Sequence, residues 1–160
     1  MEQQKERTFS EKDAHTHFAK RLFNYTWDLM EKQERTREEN ELMVHSAHSS
    51  AYHWLQVGSP VNFQRSAWQL ARVYTILGDK EKSLYYAQRC YEMTREQDLK
   101  DFDLAFAYEA MARAYALNAN KNEYTNFKAL AMEAGEAIDE KEDRDVFFKD
   151  INSGPWFGMQ

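Results

Sequence analysis

An all-α protein is the fold this sequence predicts: a right-handed stack of three antiparallel helical hairpins, closed by a C-terminal capping helix and a non-helical tail. Three observations carry it. Glycine and proline are scarce, five and two in 160 residues, which suits long helices better than turn-rich sheets. Helix-start and helix-stop residues recur at intervals of about one helix length. The chain also matches itself when shifted by 41 residues, and a repeat of that size is one helix pair with its turns.

The elements follow in order. In "SEKD" a capping serine, Ser10, stands three residues before an acid, and "TREE" at Thr36 to Glu39 repeats the device. Two helices are therefore expected at about 10–33 and 37–57, the first hairpin (10–57). Gly58 is expected as a left-handed stop. Ser59 and Pro60 then open a third helix, because proline in a first turn forfeits no hydrogen bond. It runs to about Leu77, and "GD" at Gly78 and Asp79 turns the chain into a fourth helix at 80–97, closing the second hairpin (60–97). Asp101 or Asp103 is expected to cap the fifth helix, "LAFAYEAMARAYALN", and "NANKN" separates it from a sixth at 122–138, the third hairpin (102–138). A short capping helix is expected at 141–151, and "SGPWFGMQ" in the tail (152–160) is not helical. The fifth helix is apolar almost all round, so it must be covered on several sides. All of this fits one domain, since 160 residues suffice for a single real core.

The self-match is detailed. Tyr74 falls on Tyr115, Ala71 on Ala112, Arg72 on Arg113, Leu70 on Met111, Lys80 on Lys121, Tyr86 on Phe127 and Tyr91 on Met132. Shifted the other way, Trp27 falls on Trp68, Leu29 on Leu70 and Leu22 on Phe63. Repeats of this kind stack so that neighbours share one continuous core.

Within "AWQLARVYTILGDKEKSLYYAQRC" the chain resembles a tetratricopeptide repeat. Ala67, Leu70, Ala71 and Tyr74 stand at the Trp, Leu, Gly and Tyr positions of that family's first helix, and "GD" fits its inter-helix turn. Ser83, Ala87 and Cys90 follow in the second helix, with Arg95 where the closing proline would be. Met111, Ala112, Tyr115 and Asn120 form a second copy, and the region around Trp27 a first. The spacing exceeds the family's usual length of about 34 residues, and "REQDLKDF" holds the excess. The resemblance implies a concave face lined by the first helix of each hairpin. It assigns to that lining Arg65, Trp68 and Arg72, with Asn24 and Trp27 on one side and Phe106, Glu109 and Arg113 on the other. Arginine forks and indole faces hold peptide carboxylates and acidic side chains. The plainer alternative is that Glu109 and Arg113, at i and i+4, pair with each other, and that the two tryptophans are core.

Composition excludes several classes. Twenty-seven acids against 21 Lys and Arg give a net charge of −6, whereas phosphate binding needs a basic surface, so no nucleic-acid partner is expected. "MEQQKERTFSEKD" lacks the apolar core of a signal peptide, and no run approaches the roughly 18 apolar residues of a membrane span. With a single cysteine, Cys90, no internal disulfide is possible. A cytoplasmic protein, monomeric or weakly self-associating, is expected. Cys90 occupies a helical packing position and reads as buried filling, not as a nucleophile.

One stretch looks chemically loaded. "LMVHSAHSSAYHW" holds three of the five histidines, and at about 100° per residue Glu41, His45, His48 and Tyr52 share one helix stripe. A metal would want imidazoles one turn apart beside a carboxylate. The spacing is i, i+3, however, not the H-E-x-x-H of zinc proteases, and no second pair faces it. His45 also falls on Tyr86 and Phe127 in the repeat, which are packing positions. Structural histidines, hydrogen-bonded between helices, are the expectation. The functional reading is a non-enzymatic scaffold that binds a peptide or protein segment, of acidic character if the arginines read it, and needs no cofactor. The rival is a metal-dependent or small-molecule-binding enzyme centred on Glu41, His45 and His48. Finally, Trp156 and Phe157 in the tail are expected to dock on the last hairpin, because an exposed Trp–Phe pair is an aggregation liability.

Overall fold

The computed structural model describes residues 8–159; the first seven residues of the polar N-terminal stretch and Gln160 lie outside them. Seven helices make up the described chain: α1 (Glu11–Glu31), α2 (Arg37–Val57), α3 (Pro60–Ile76), α4 (Lys80–Glu96), α5 (Asp101–Leu117), α6 (Lys121–Glu136) and α7 (Lys141–Ile151). No strand occurs among the described residues. Successive helices pair as α1·α2, α3·α4 and α5·α6, and α7 packs on α5 and α6. The fold is an all-α stack of helical hairpins.

Local chemistry sets the helix ends. Thr36 accepts the Glu39 N–H (3.1 Å) while the Glu39 carboxylate accepts the Thr36 N–H (2.9 Å), a reciprocal cap. Ser10 accepts the Asp13 N–H at 3.1 Å, and Asp79 and Asn120 do the same for α4 and α6. Gly78 takes φ +74, the left-handed turn between α3 and α4. Two expectations are corrected. Gly58 is not left-handed, having φ −85; glycine is needed there because a Cβ would sit 2.7 Å from the Trp54 carbonyl and 3.0 Å from Asn62. Nor does either aspartate cap α5, whose N-cap is Lys100 without a side-chain bond. Both carboxylates serve tertiary contacts instead: Asp101 accepts the Asp139 N–H (2.8 Å) and Asp103 binds Arg65.

The helices form two layers. The first helices lie side by side, α1 on α3, α3 on α5 and α5 on α7, whereas α2, α4 and α6 do not pack on one another. The first helices thus form one layer and the second helices the other. Small residues permit the close approach: six alanines of α5, at 105, 107, 110, 112, 114 and 116, are all buried. Gly135 of α6 meets the ring of Phe147, which occupies the space a Cβ would need. The core runs continuously from Ala67 and Trp68 through Phe106 and Ala110 to Phe147 and Ile151.

The tail docks in part. Trp156 lies against Tyr124 (5.7 Å between centroids), under the Arg113 guanidinium (4.1 Å) and the Lys128 ammonium (3.6 Å), and donates to the Ile151 carbonyl. Phe157 does not dock. It takes φ +55 and remains 42% exposed, outside the buried clusters.

Candidate functional site

The 41-residue register brings the first-helix residues into columns. Asn24, Arg65 and Phe106 share one repeat position, and Phe147 of α7 falls on the next step. Trp27, Trp68 and Glu109 share another, and Asp150 continues it. Helix α7 thus continues the register of the first helices. Neighbours within and between columns touch: Trp27 stacks on Trp68 (5.5 Å), Trp68 meets Phe106 edge-on (5.4 Å), and Phe106 meets Phe147 (5.0 Å).

Beneath the aromatic column lies a buried ionic cluster. The Glu109 carboxylate, fully buried, accepts from Trp68 Nε1 (3.1 Å), from Arg72 (2.8 Å) and from Arg113 Nε. Arg72 reaches Asp150 Oδ1 at 3.2 Å, and Arg113 donates to the backbone carbonyls of Asp150 (2.8 Å) and Pro155 (3.2 Å). Two cations face two acids, so the cluster is neutral with both ionised, and it ties α3, α5, α7 and the tail together. Burial opposes the ionisation of Glu109, but Arg113 and Arg72 outweigh it and hold the carboxyl below its ordinary value. Asp150 goes the other way: burial and the neighbouring Glu109 carboxylate push it up to about 6 despite the two guanidinium groups. The pair of acids cannot both be fully compensated by the same arginines.

Two cavities open on the layer of first helices. The larger, about 1080 Å³, is bounded by the end of α1 (Trp27, Met30, Glu31), the α1–α2 turn (Lys32, Gln33, Arg35), Arg72, Ile76, Phe106, and α7 with the tail (Val146, Lys149, Asp150, Ser153 to Pro155). The smaller, about 340 Å³, lies between α1, α3 and α5 and is lined by Phe23, Asn24, Trp27, Gln64, Arg65, Trp68, Phe102, Asp103, Phe106 and Val146. Trp27, Phe106 and Val146 belong to both.

Of the eight residues assigned to the lining, Asn24, Trp27, Arg65, Trp68 and Phe106 line the smaller cavity, and Arg72 lines the larger. Glu109 and Arg113 line neither; they are fully buried beneath and pair with each other, as the i, i+4 spacing allows. Arg72, 6% exposed, is mostly interior as well. Arg65 is the exposed arginine, and it grips Asp103 through Nε (2.8 Å) and a second nitrogen (3.3 Å). Gln64, Arg35, Lys149 and Asp150 were not anticipated. The signal for Asp150 was available: one further shift along the Trp27, Trp68, Glu109 column.

The histidine stripe does not converge on a point. Glu41 and His45 are exposed, and His48 shares a hydrogen bond with the Tyr74 hydroxyl (2.8 Å) across the α2–α3 interface. Burial lowers the His48 pKa. A second contact, His15 to His53 (2.8 Å), links α1 and α2. Among the described residues no group of three His, Cys, Asp or Glu is placed to hold a metal ion, and no helix is long and apolar enough to cross a membrane. Cys90 is fully buried, and burial raises its thiol pKa well above the ordinary value. No family model, no curated protein and no solved structure matches the chain.

Proposed function

We propose that this protein is a non-enzymatic scaffold or adaptor of tetratricopeptide-like design, holding an extended peptide or protein segment across its concave layer. The observation that carries the reading is that two cavities lie side by side over α1, α3, α5 and α7 and share Trp27, Phe106 and Val146 in their walls. Charge supports an acidic segment. Lys32, Arg35, Arg72 and Lys149 stand on the larger cavity; Lys32 is paired with Glu39 and Arg72 with Glu109 and Asp150, so Arg35 and Lys149 against Glu31 carry its excess positive charge, in a chain of net charge −6. Arg35 is bonded to Asn40 and to backbone carbonyls, so its charge is not cancelled by a carboxylate. The Glu41, His45 and His48 stripe supports no second reading, since its members do not converge.

Selection from a random peptide library tests this, using wild-type protein as target and a Val146→Trp variant for counter-selection. Val146 is 51% exposed and borders both cavities, so a tryptophan there obstructs both without disturbing the core. Enrichment of sequences that the variant no longer holds is expected. Peptides retained equally by both proteins, or none at all, would remove the groove from consideration.

A further inference from the structure

We infer that Glu109 and Asp150 form a proton-binding site: as pH falls they take up one proton between them, and that proton strengthens the hold of the larger cavity on an acidic segment. This rests on the groove reading above and adds how the groove is regulated.

The two acids are unequally served. Glu109, on α5, accepts from Trp68 Nε1 (3.1 Å), Arg72 Nη1 (2.8 Å) and Arg113 Nε. Asp150, on α7, accepts a single charged bond, from Arg72 Nη2 to Oδ1 at 3.2 Å. Arg113 commits its terminal nitrogens to the backbone carbonyls of Pro155 (3.2 Å) and Asp150 (2.8 Å). Its Nη2 stays 3.8 Å from Asp150 Oδ2, beyond hydrogen-bond length. That oxygen is sealed from solvent and finds no donor. An ionised carboxylate can only accept, so the charged form leaves it unsatisfied.

One guanidinium also spans both acids, a nitrogen to each, which holds like charges side by side. A single proton relieves both difficulties. It makes Asp150 a donor, and the Glu109 carboxylate, in hydrogen-bond contact with it, is the acceptor. Burial and this neighbour push Asp150 up to about 6, whereas Glu109, although buried, is held below its ordinary value by Arg113 and Arg72.

The surroundings leave the pair in control of the local charge. Arg72 faces it from α3 and Arg113 from α5, and Lys149 is its neighbour on α7. Lys128 of α6 lies over the Trp156 ring, on the far side of Arg113 from the cavity walls. Glu31 of α1 and Lys32 and Arg35 of the α1–α2 turn stand on the same cavity, and no histidine lines it. With both acids ionised the cluster is neutral; with the proton bound it carries one positive charge in excess. Asp150 itself borders the larger cavity, so an acidic segment there meets a more positive wall at low pH. Partly buried charges are screened less than exposed ones. Linkage makes the effect reciprocal: the segment in turn tightens the proton.

The test uses a peptide selected on the wild-type protein and lost on Val146→Trp, with affinities measured by fluorescence anisotropy at about pH 5 and about pH 7.5. Wild-type affinity should be about fivefold higher at the lower pH, the size of one charge acting across a partly solvated cavity. Asp150→Asn, neutral throughout, should keep the tighter affinity at both. A ¹³C titration of the full-length protein should place the Asp150 carboxyl midpoint at about 6, moved upward by saturating peptide, with Glu109 still ionised. A wild-type midpoint near the ordinary aspartate value of about 4 overturns the inference, whether or not the variant folds. So does equal affinity at the two pH values, or a pH dependence that persists in Asp150→Asn. A selected peptide with pH-independent affinity leaves the groove intact and sinks the regulation alone. If no peptide depends on Val146, the groove reading and its regulation fall together.

Discussion

Helix α1 buries three of its 21 residues, whereas α5 buries eleven of its 17. Both are first helices on the same repeat frame. At one shared pair of positions α1 carries Trp27 and Glu31, whose side chains bond at 2.8 Å on the surface. At the same pair α5 carries Glu109 and Arg113, sealed from solvent and wired to Trp68, Arg72 and the Asp150 backbone. The geometry is common, but the surroundings set the energy. A pair at the end of the stack keeps its water; the same pair covered by a further helix has only its partners left. Repeat position alone therefore does not tell whether a residue is a surface contact or an internal strut.

The sharpest way to break this comparison is to cut equivalent pairs. Arg113→Ala leaves the buried Glu109 with only Arg72 and Trp68 and empties the space of a fully buried side chain, and a loss of about 3–5 kcal/mol is expected in chemical denaturation. Glu31→Ala should stay within about 0.5 kcal/mol. Equal losses would mean that burial does not govern the difference. The two candidate groove arginines divide in the same way: Arg72→Ala should approach the Arg113→Ala loss, while Arg65→Ala, at an exposed pair, should cost about 1 kcal/mol or less.

A pH series sharpens it next. Asp150 is raised to about 6, above the ordinary aspartate value near 4. The folded protein therefore keeps a proton that the unfolded chain has already lost. The associated stability is complete below the ordinary value and disappears as pH rises through about 6, amounting to about 3 kcal/mol. His48 and His53, whose pKa values are lowered chiefly by burial, act oppositely and lose stability as pH falls below about 6.5. The comparison with Asp150→Asn isolates the carboxylate: melting measured between pH 4 and 7 should shift progressively in the variant's favour as pH rises. A constant offset would show that the site keeps its charge throughout.

Gly135→Ala comes third. Its methyl would enter the Phe147 ring, so a loss of about 1–3 kcal/mol is expected, recovered in part by a smaller residue at 147. Tyr74→Phe follows, which removes the partner of His48 and should cost about 1 kcal/mol. His45→Ala on the exposed face should be near neutral.

The sequence carried the fold well because caps and turns are local: Thr36 with Glu39, Gly78 with Asp79, Asn120 at the start of α6. It was less clear at Gly58 and Asp101, where the residue answers to a distant or crowded neighbour instead of to its own turn. The groove positions were legible through the repeat, but their depth was not. Whether Arg72, Glu109 and Arg113 face water depends on α7 lying across them, and α7 is short and highly charged, so its packing face is hard to read. Gln64 was invisible for a similar reason, since its amide donates to Thr94 and to the Asp103 carbonyl, both far along the chain.

Cys90 is the sole thiol of the sequence and belongs to the continuous core, with no exposed surface. It is thereby a built-in clock. A thiol-reactive dye cannot label the folded protein from outside; it must wait for the helices around Cys90 to part. The rate of labelling counts openings of the stack's centre without any engineered probe, and a bound segment that staples the layer of first helices should slow that clock.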